Sequence, residues 1–474
     1  MTNLYFHLDR DLNVPLHKQL IIHLKNHILS GDIRKSEKLP SSRSLATDLK
    51  VSRIVTLTAY EQLIAEGYLL SKPGSGTFIS HNIPDITLGK DKEYLGPKWF
   101  KPKTKEIPKA YYARPNVKYD FSVGHPASEL LSKVDWKRAW RKAIDKSFTT
   151  ERPDRSGISF LRGEIANYLE RTRNIKCHPD NIVITSGAAE TLRLLSKAMI
   201  EFNPVTFCEK PGFSIAWRWL SVENNTLNPV NIDEDGLITS ELPHKTNRPT
   251  MLFCTPSHQF PLGFRLSLKR RNEILEWANH NDALILEDDY DSEFHYDTMA
   301  LPTLKSQDKT GQVVYFSSFS KSISPTIKIG YLLAPENICT VLKNIIGIEH
   351  AEPPMLKQTA MAAFIADGSL DKHIARSRRH YAKLNKIVRE KLANLPDGIK
   401  VSGLDSGIHA FLSFKEMPNR LLKSLEDKSF YLPHQTDTKP WHGYALGYGH
   451  FEQQNLTEAL DCLVAEINAL YPEL

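Results

Sequence analysis

The sequence predicts an α/β protein in two parts, a small N-terminal winged helix-turn-helix followed by a large body on a mostly parallel sheet. Three observations lead there. Residues 15–79 carry three short helical patterns and then a hairpin pattern. From about Tyr119 onward, short continuous apolar runs alternate with amphipathic stretches. The charge is also lopsided: residues 1–117 hold 18 Lys/Arg against 11 Asp/Glu, and the rest of the chain 43 against 44. All of the positive excess lies in the first quarter, which suits a nucleic-acid-binding head on a neutral body.

In the head, Leu16, Leu20, Leu24 and Ile28 make one apolar stripe, with Pro15 in the first turn and Ser30-Gly31 at the end, so a helix is expected over 15–30. A serine of Leu39-Pro40-Ser41-Ser42-Arg43 caps a second helix reaching about Leu49. After a tight turn at Val51, Ser52 caps a third, with Val55, Ala59, Leu63 and Ile64 inward and Gly67 as its stop. Tyr68-Leu69-Leu70 and Thr77-Phe78-Ile79 are β-prone, and Pro73-Gly74-Ser75-Gly76 between them is turn chemistry. Residues 81–117 show no periodicity, five prolines and seven lysines between Lys90 and Lys109, the composition of an extended linker or of a lysine-rich arm for DNA. The expected domains are therefore 1–80, a linker 81–117, and a body 118–474.

In the body, Ile182-Val183-Ile184, Met251-Leu252-Phe253, Ala283-Leu284-Ile285-Leu286 and Val313-Val314-Tyr315-Phe316 are near-continuous apolar runs, as in strands covered on both faces. A 41% hydrophobic and 24% charged composition is enough for packed domains and excludes a disordered chain. No apolar run reaches the roughly 18 residues of a membrane span, and the N-terminus lacks a signal-peptide layout. The five cysteines are scattered, without a CxxC pair, and read as reduced core thiols. These features point to a cytoplasmic protein with no membrane partner, no disulfide and no metal site.

Ligands of open α/β sheets bind beyond the carboxyl ends of the strands, and four of these strands end in chemically loaded turns. The first runs into Thr185-Ser186-Gly187-Ala188-Ala189-Glu190, whose backbone N–H groups and helix dipole can hold a phosphate. The others run into Thr255-Pro256-Ser257-His258-Gln259-Phe260-Pro261-Leu262-Gly263, Glu287-Asp288-Asp289-Tyr290-Asp291-Ser292-Glu293-Phe294, and Ser317-Ser318-Phe319-Ser320-Lys321-Ser322. In this order and spacing the last three segments resemble the MocR (GabR-like) branch of the GntR regulators, in which a winged helix is fused to a fold type I aminotransferase-like domain. The likeness covers nearly the whole chain.

The resemblance implies pyridoxal 5'-phosphate as cofactor. Lys321 stands where the family's lysine forms a Schiff base with it, Asp288 where a carboxylate pairs with the protonated pyridine nitrogen, and Tyr290 where a hydroxyl meets the ring's phenolic oxygen. Phe213 matches the aromatic over the ring face. Gly187, Ala188, Ala189, Ser318 and Ser320 correspond to the phosphate cradle, with Lys328 in place of the family's phosphate-contacting arginine. The head resembles the GntR winged helix, which places Arg43, Arg53 and Thr56 toward double-stranded DNA, Ser42 and Ser52 on its backbone, and Lys72 in the wing. The resemblance further implies a homodimer and a small-molecule effector.

Members that sense γ-aminobutyrate hold its carboxylate with two arginines and a tyrosine. Here one of those positions is Ile215, the aromatic is Phe213, and the C-terminal stretch reads Tyr431-Leu432-Pro433-His434-Gln435-Thr436, with no arginine after Arg420. Lys439, His434 or Lys328 are the available substitutes. The expected effector is therefore pyridoxal phosphate itself or an amine without such a carboxylate. Two principal readings follow: a regulator whose DNA affinity depends on this site, or an aminotransferase with an appended DNA-binding domain. The missing fork leaves at most a slow or partial transamination. The set Asp288, Tyr290 and Lys321 argues against a third, a DNA-architectural protein with an inert body.

Overall fold

The computed structural model describes residues 8–83, 117–146, 154–221, 226–296, 300–416, 420–433 and 435–470. It divides into two compact units, Met1–Glu106 and Ile107–Leu474. Nearly all of the segment expected as a linker, 84–116, lies outside the described residues.

The head consists of α1 (Leu16–Leu29), α2 (Ser42–Asp48), α3 (Arg53–Ala65), β1 (Leu69–Lys72) and β2 (Gly76–Ile79). Leu20 and Leu24 of α1, Leu45 of α2, Ala59 and Leu63 of α3, and Leu69 and Ile79 of the hairpin bury one shared core. Truncating a fully buried residue such as Leu63 to alanine costs about 2–5 kcal/mol in a core of this kind. Ser41 is the cap of α2: its Oγ accepts the Ser44 N–H at 3.1 Å. The Tyr60 hydroxyl ties α3 to the loop before α2 by donating to the Pro40 carbonyl at 2.9 Å. β1 and β2 pair antiparallel, Leu69 opposite Ile79 and Lys72 opposite Gly76, and the turn between them uses the positive φ of Gly74 and Gly76.

The body is built on an eight-stranded sheet. In spatial order the strands are Ile182–Thr185, Gly330–Leu333, Val313–Ser318, Leu284–Asp288, Thr250–Cys254, Val205–Lys210, Thr226–Asp233 and Gly236–Leu237. Gly330–Leu333 runs antiparallel to both neighbours and Gly236–Leu237 returns as a hairpin; the remaining pairings are parallel. The continuous apolar runs arise because both faces are covered. Ile182, Ile184 and Tyr315 pack toward helices Ser159–Arg173 and Met355–Ala366, while Val183, Val314 and Phe316 pack toward helix Ala188–Met199. A second, antiparallel sheet orders Ile399–Ser402, His409–Phe414, Trp441–Gly447 and Gln435–Thr438. Helices Ser369–Lys391 and Gln453–Leu470 pack with it into one further core.

Among the described residues no helix is long and apolar enough to cross a membrane. The five cysteines are free thiols, but only Cys208, Cys254 and Cys339 are buried; Cys177 and Cys462 are half-exposed, a correction to their reading as core residues.

Candidate cofactor site and DNA-reading face

The carboxyl ends of the parallel strands open into a cavity of about 130 Å³. It gathers Asp288, Tyr290, Phe213, Ala188, Ser318 and Lys321, six of the residues singled out in the sequence. It also takes in Val123, Gly124, Thr255, Phe260, Asp291, Ile408 and His409, which were not singled out. Gly187 is buried one residue before Ala188, at the start of helix Ala188–Met199 with φ 121°. Ala189 is exposed, and neither Ser320 nor Lys328 lines the cavity.

Strand alternation explains which of three consecutive acids meets the cavity. Glu287 accepts the backbone N–H groups of Leu304 and Lys305 at 2.9 and 2.8 Å. Asp289 accepts from Arg173 at 2.9 Å and from the Tyr315 hydroxyl at 2.6 Å. Asp288, between them, points into the cavity, and its Oδ1 is buried with no hydrogen-bond partner. Burial, reinforced by the neighbouring Asp289 charge, lifts the Asp288 carboxyl well above the usual range. Burial also raises Asp289, but Arg173 with the Ser292 and Tyr315 hydroxyls outweighs it and holds that carboxyl low.

Lys321 follows the strand Val313–Ser318, and its Nζ donates to the Gly124 carbonyl at 3.1 Å. Gly124 has φ 78°, and a Cβ there would collide with the lysine amine, so glycine is required at this contact. Burial depresses the Lys321 amine, while the Asp291 and Asp288 carboxylates oppose the shift. Desolvation favours the neutral, nucleophilic form of a lysine. Phe213 closes another wall, edge-on to Phe260 with ring centroids 5.9 Å apart. Beside Tyr290, the His258 and His409 rings lie 4.5 Å apart between centroids, tilted by 39°.

The pieces fit pyridoxal phosphate. A buried, unpartnered carboxyl oxygen on Asp288 calls for a cationic donor such as a pyridinium N–H. The amine of Lys321, the hydroxyls of Tyr290 and Ser318, and the helix start at Gly187-Ala188 supply the rest of the donor set. At that helix start the Ser186 N–H is already taken by Glu190.

On the head, Arg43, Arg53, Ser52 and Lys72 are exposed and Ser42 is half-exposed. Lys72 Nζ lies 5.2 Å from the Phe78 ring centre. Thr56 is a correction. It is fully buried, and its hydroxyl lies 2.7 Å from the Ser42 carbonyl and 3.0 Å from the Arg53 carbonyl, so it braces α2 against α3 and does not face DNA.

Residues 117–436 match the family "Aminotransferase class I and II", and residues 16–79 match "Bacterial regulatory proteins, gntR family". The chain is 28% identical to the "Probable rhizopine catabolism regulatory protein MocR" of Rhizobium meliloti, over 98% of this chain and 96% of that one. It is 34% identical to the "HTH-type pyridoxine biosynthesis transcriptional regulator PdxR" of Corynebacterium glutamicum, over 92% and 93%. The chain belongs to the MocR-type GntR transcriptional regulators. Among solved structures, a kynurenine aminotransferase of Pyrococcus horikoshii aligns with a TM-score of 0.67 over 76% of this chain and 92% of that one, at 18% identity, a likeness of fold alone. The names of these MocR-type relatives bear out the regulator reading and not the aminotransferase alternative.

Within this MocR-type body, Ile215 packs as a partly buried apolar residue near Phe213. Of the substitutes considered for a carboxylate partner, Lys328 and Lys439 are exposed and line no part of the cavity, and His434 lies outside the described residues. Lys357, which no motif flagged, donates its amine to the Lys328 carbonyl at 3.1 Å. His258 and Asp291 sat inside quoted motifs and could have been read there. His409 opens a strand of the second sheet, Ile408 directly precedes it, and neither had a local signal.

Proposed function

We propose that the body binds pyridoxal 5'-phosphate on Lys321 and that occupancy of this site sets the affinity of the winged helix for double-stranded DNA. The observation that carries the reading is Asp288, a buried carboxyl with a free oxygen in the same cavity as the desolvated Lys321 amine. When bound, the cofactor supplies a carbonyl for the lysine amine and an electron-accepting ring. Asp288 holds the ring nitrogen's proton, Tyr290 presents its hydroxyl to the phenolic oxygen, and Phe213 covers one face. Gly187, Ala188 and Ser318 hold the phosphate at the cavity's helix-start end, and Ala189, Ser320 and Lys328, which the family resemblance also suggested, stand outside the cavity lining. Arg43, Arg53, Ser42, Ser52 and Lys72 contact DNA.

Among the described residues the cavity is lined by the Lys321 amine and the Asp288 and Asp291 carboxyls, and by no arginine. A carboxylate entering it loses hydration and gains no guanidinium fork. The effector we infer is therefore pyridoxal phosphate itself, or an amine without a carboxylate to grip. One relative's name, which refers to pyridoxine biosynthesis, supports the first. We further propose a cytoplasmic homodimer whose two heads read paired half-sites, with 81–117 as the linker. The test is to follow the visible absorption of the cofactor-loaded full chain together with its DNA affinity. Lys321→Ala is expected to lose the lysine-bound cofactor's band while staying folded, and pyridoxal phosphate alone to change DNA binding. Rapid, saturable spectral conversion by γ-aminobutyrate, alanine, glutamate or taurine at sub-millimolar concentration argues against the inferred effector.

A further inference from the structure

α3 buries one side and offers the other. Thr56, Ala59, Tyr60 and Leu63 turn into the head's core. Arg53, Ile54, Leu57 and Glu61 form the opposite stripe, one turn apart at spacings of three and four residues. Two of these four are large aliphatic side chains in water: Ile54 keeps 73% of its surface exposed and Leu57 40%. A single exposed isoleucine is ordinary. A pair stacked at i, i+3 at the amino-terminal end of this helix is not, because those positions reach base edges when such a helix enters the major groove.

We propose that Ile54 and Leu57 read thymine methyl groups, so that the half-site contacted by α3 contains a thymine opposite each of them. This rests on the reading of the head as DNA-binding. Of the base edges in the major groove only thymine offers an apolar group, its C5 methyl; guanine asks for donors, adenine for a donor and an acceptor together, and cytosine for an acceptor. The stripe has one fork of donors, Arg53, because Thr56 between the two aliphatics is turned inward to the Ser42 and Arg53 carbonyls. The next turn brings Glu61, a carboxylate that phosphates repel, and this confines the groove contact to the first turns of α3. Elsewhere on the head Arg43, Lys38 and Lys72 are exposed cations, the two lysines over the Phe78 ring of the wing. That charge suits a polyanion and repels a second copy of the head.

The experiment uses the full chain and a random duplex library. The enriched duplex is resynthesised with deoxyuridine for each thymine in turn, which removes the methyl and nothing else. For the native chain, uracil at one or two positions is expected to weaken binding about fourfold each, the scale of one buried methyl. Ile54→Ala should abolish the loss at one position and Leu57→Ala at the other, binding being compared well below the melting temperature of each variant. Leu57→Arg should turn the preference at its position from thymine to guanine. Uracil tolerated at every position, or the same uracil penalty in native and substituted chains, overturns the proposal. So does a change in sedimentation of Ile54→Ala with uracil sensitivity intact, which would make the stripe a protein contact. Enrichment of no duplex at all would instead remove the DNA-binding reading beneath it.

Discussion

His258 Nδ1 lies 2.9 Å from the nearer carboxylate oxygen of Asp291, both side chains being almost fully buried. The same nitrogen is 3.3 Å from the Tyr290 hydroxyl. A proton on Nδ1 is best donated to Asp291, which leaves the Tyr290 hydroxyl hydrogen free to point into the cavity. Asp291 is also the leading influence opposing the burial-driven depression of the Lys321 amine. Asp291→Asn keeps an oxygen for His258 but removes the charge that stabilises the protonated amine. The amine's pKa should fall further, so cofactor uptake, which needs the neutral amine, should extend to lower pH. Measuring the pH midpoint of uptake in both proteins checks this; a shift upward would be the wrong sign.

Asp288→Asn separates cofactor binding from folding. In the absence of a cation the acid is held protonated by burial, so a neutral amide of the same shape should leave the melting temperature of the cofactor-free protein unchanged or raised. Pairing with a protonated ring nitrogen is lost, and charge-assisted bonds contribute about 1.5–3 kcal/mol. Cofactor affinity should drop roughly 10- to 100-fold by equilibrium titration.

Thr56→Val tests the correction on α3. The substitution strips the hydroxyl that links the Ser42 and Arg53 carbonyls and should cost about 1–3 kcal/mol of head stability. Denaturant unfolding should show the loss. DNA affinity measured well below the melting temperature should stay near native, whereas a base contact would have lost specificity.

The layout of both parts was legible because it rests on local signals. Three helices with a Gly-rich turn, and strands whose apolar runs reflect burial on both faces, can be read one segment at a time. Ser52, however, expected as the cap of α3, makes no capping bond, and only α2 is capped by a side chain, that of Ser41. The lysine, the acid two residues before a tyrosine, and the small-residue turn were likewise legible as motifs. Thr56 was misread because a threonine early on a reading helix is read outward by default, and only the packing of α2 against α3 shows its hydroxyl turned in. His409 and Gly124 were invisible because each reaches the cavity from a distant stretch, and no spacing along the chain encodes that approach.

Glu287 and Glu209 give the fold a pH signature. Burial raises each carboxyl from the usual 4.5 to about 7. Each therefore contributes stability that is full below about pH 4.5, declines as pH rises, and is gone above about 7. The change is on the order of 3 kcal/mol per group. The melting temperature should thus lose this contribution between about pH 4.5 and 7, and Glu287→Gln should flatten the decline. A slope identical to that of the native protein would place the titration elsewhere.

Glu287, Asp288 and Asp289 stand in consecutive positions and serve three different customers: a helix start, the cavity, and the Arg173–Tyr315 pair. Their division of labour depends wholly on the frame of the strand Leu284–Asp288 against its parallel neighbours. The segment therefore tolerates many changes of side chain but no change of length. Deleting or inserting one residue there would exchange the three tasks at once. Laboratory libraries that allow insertions and deletions should return almost none between 284 and 289, even where point substitutions at Leu284 or Ile285 survive.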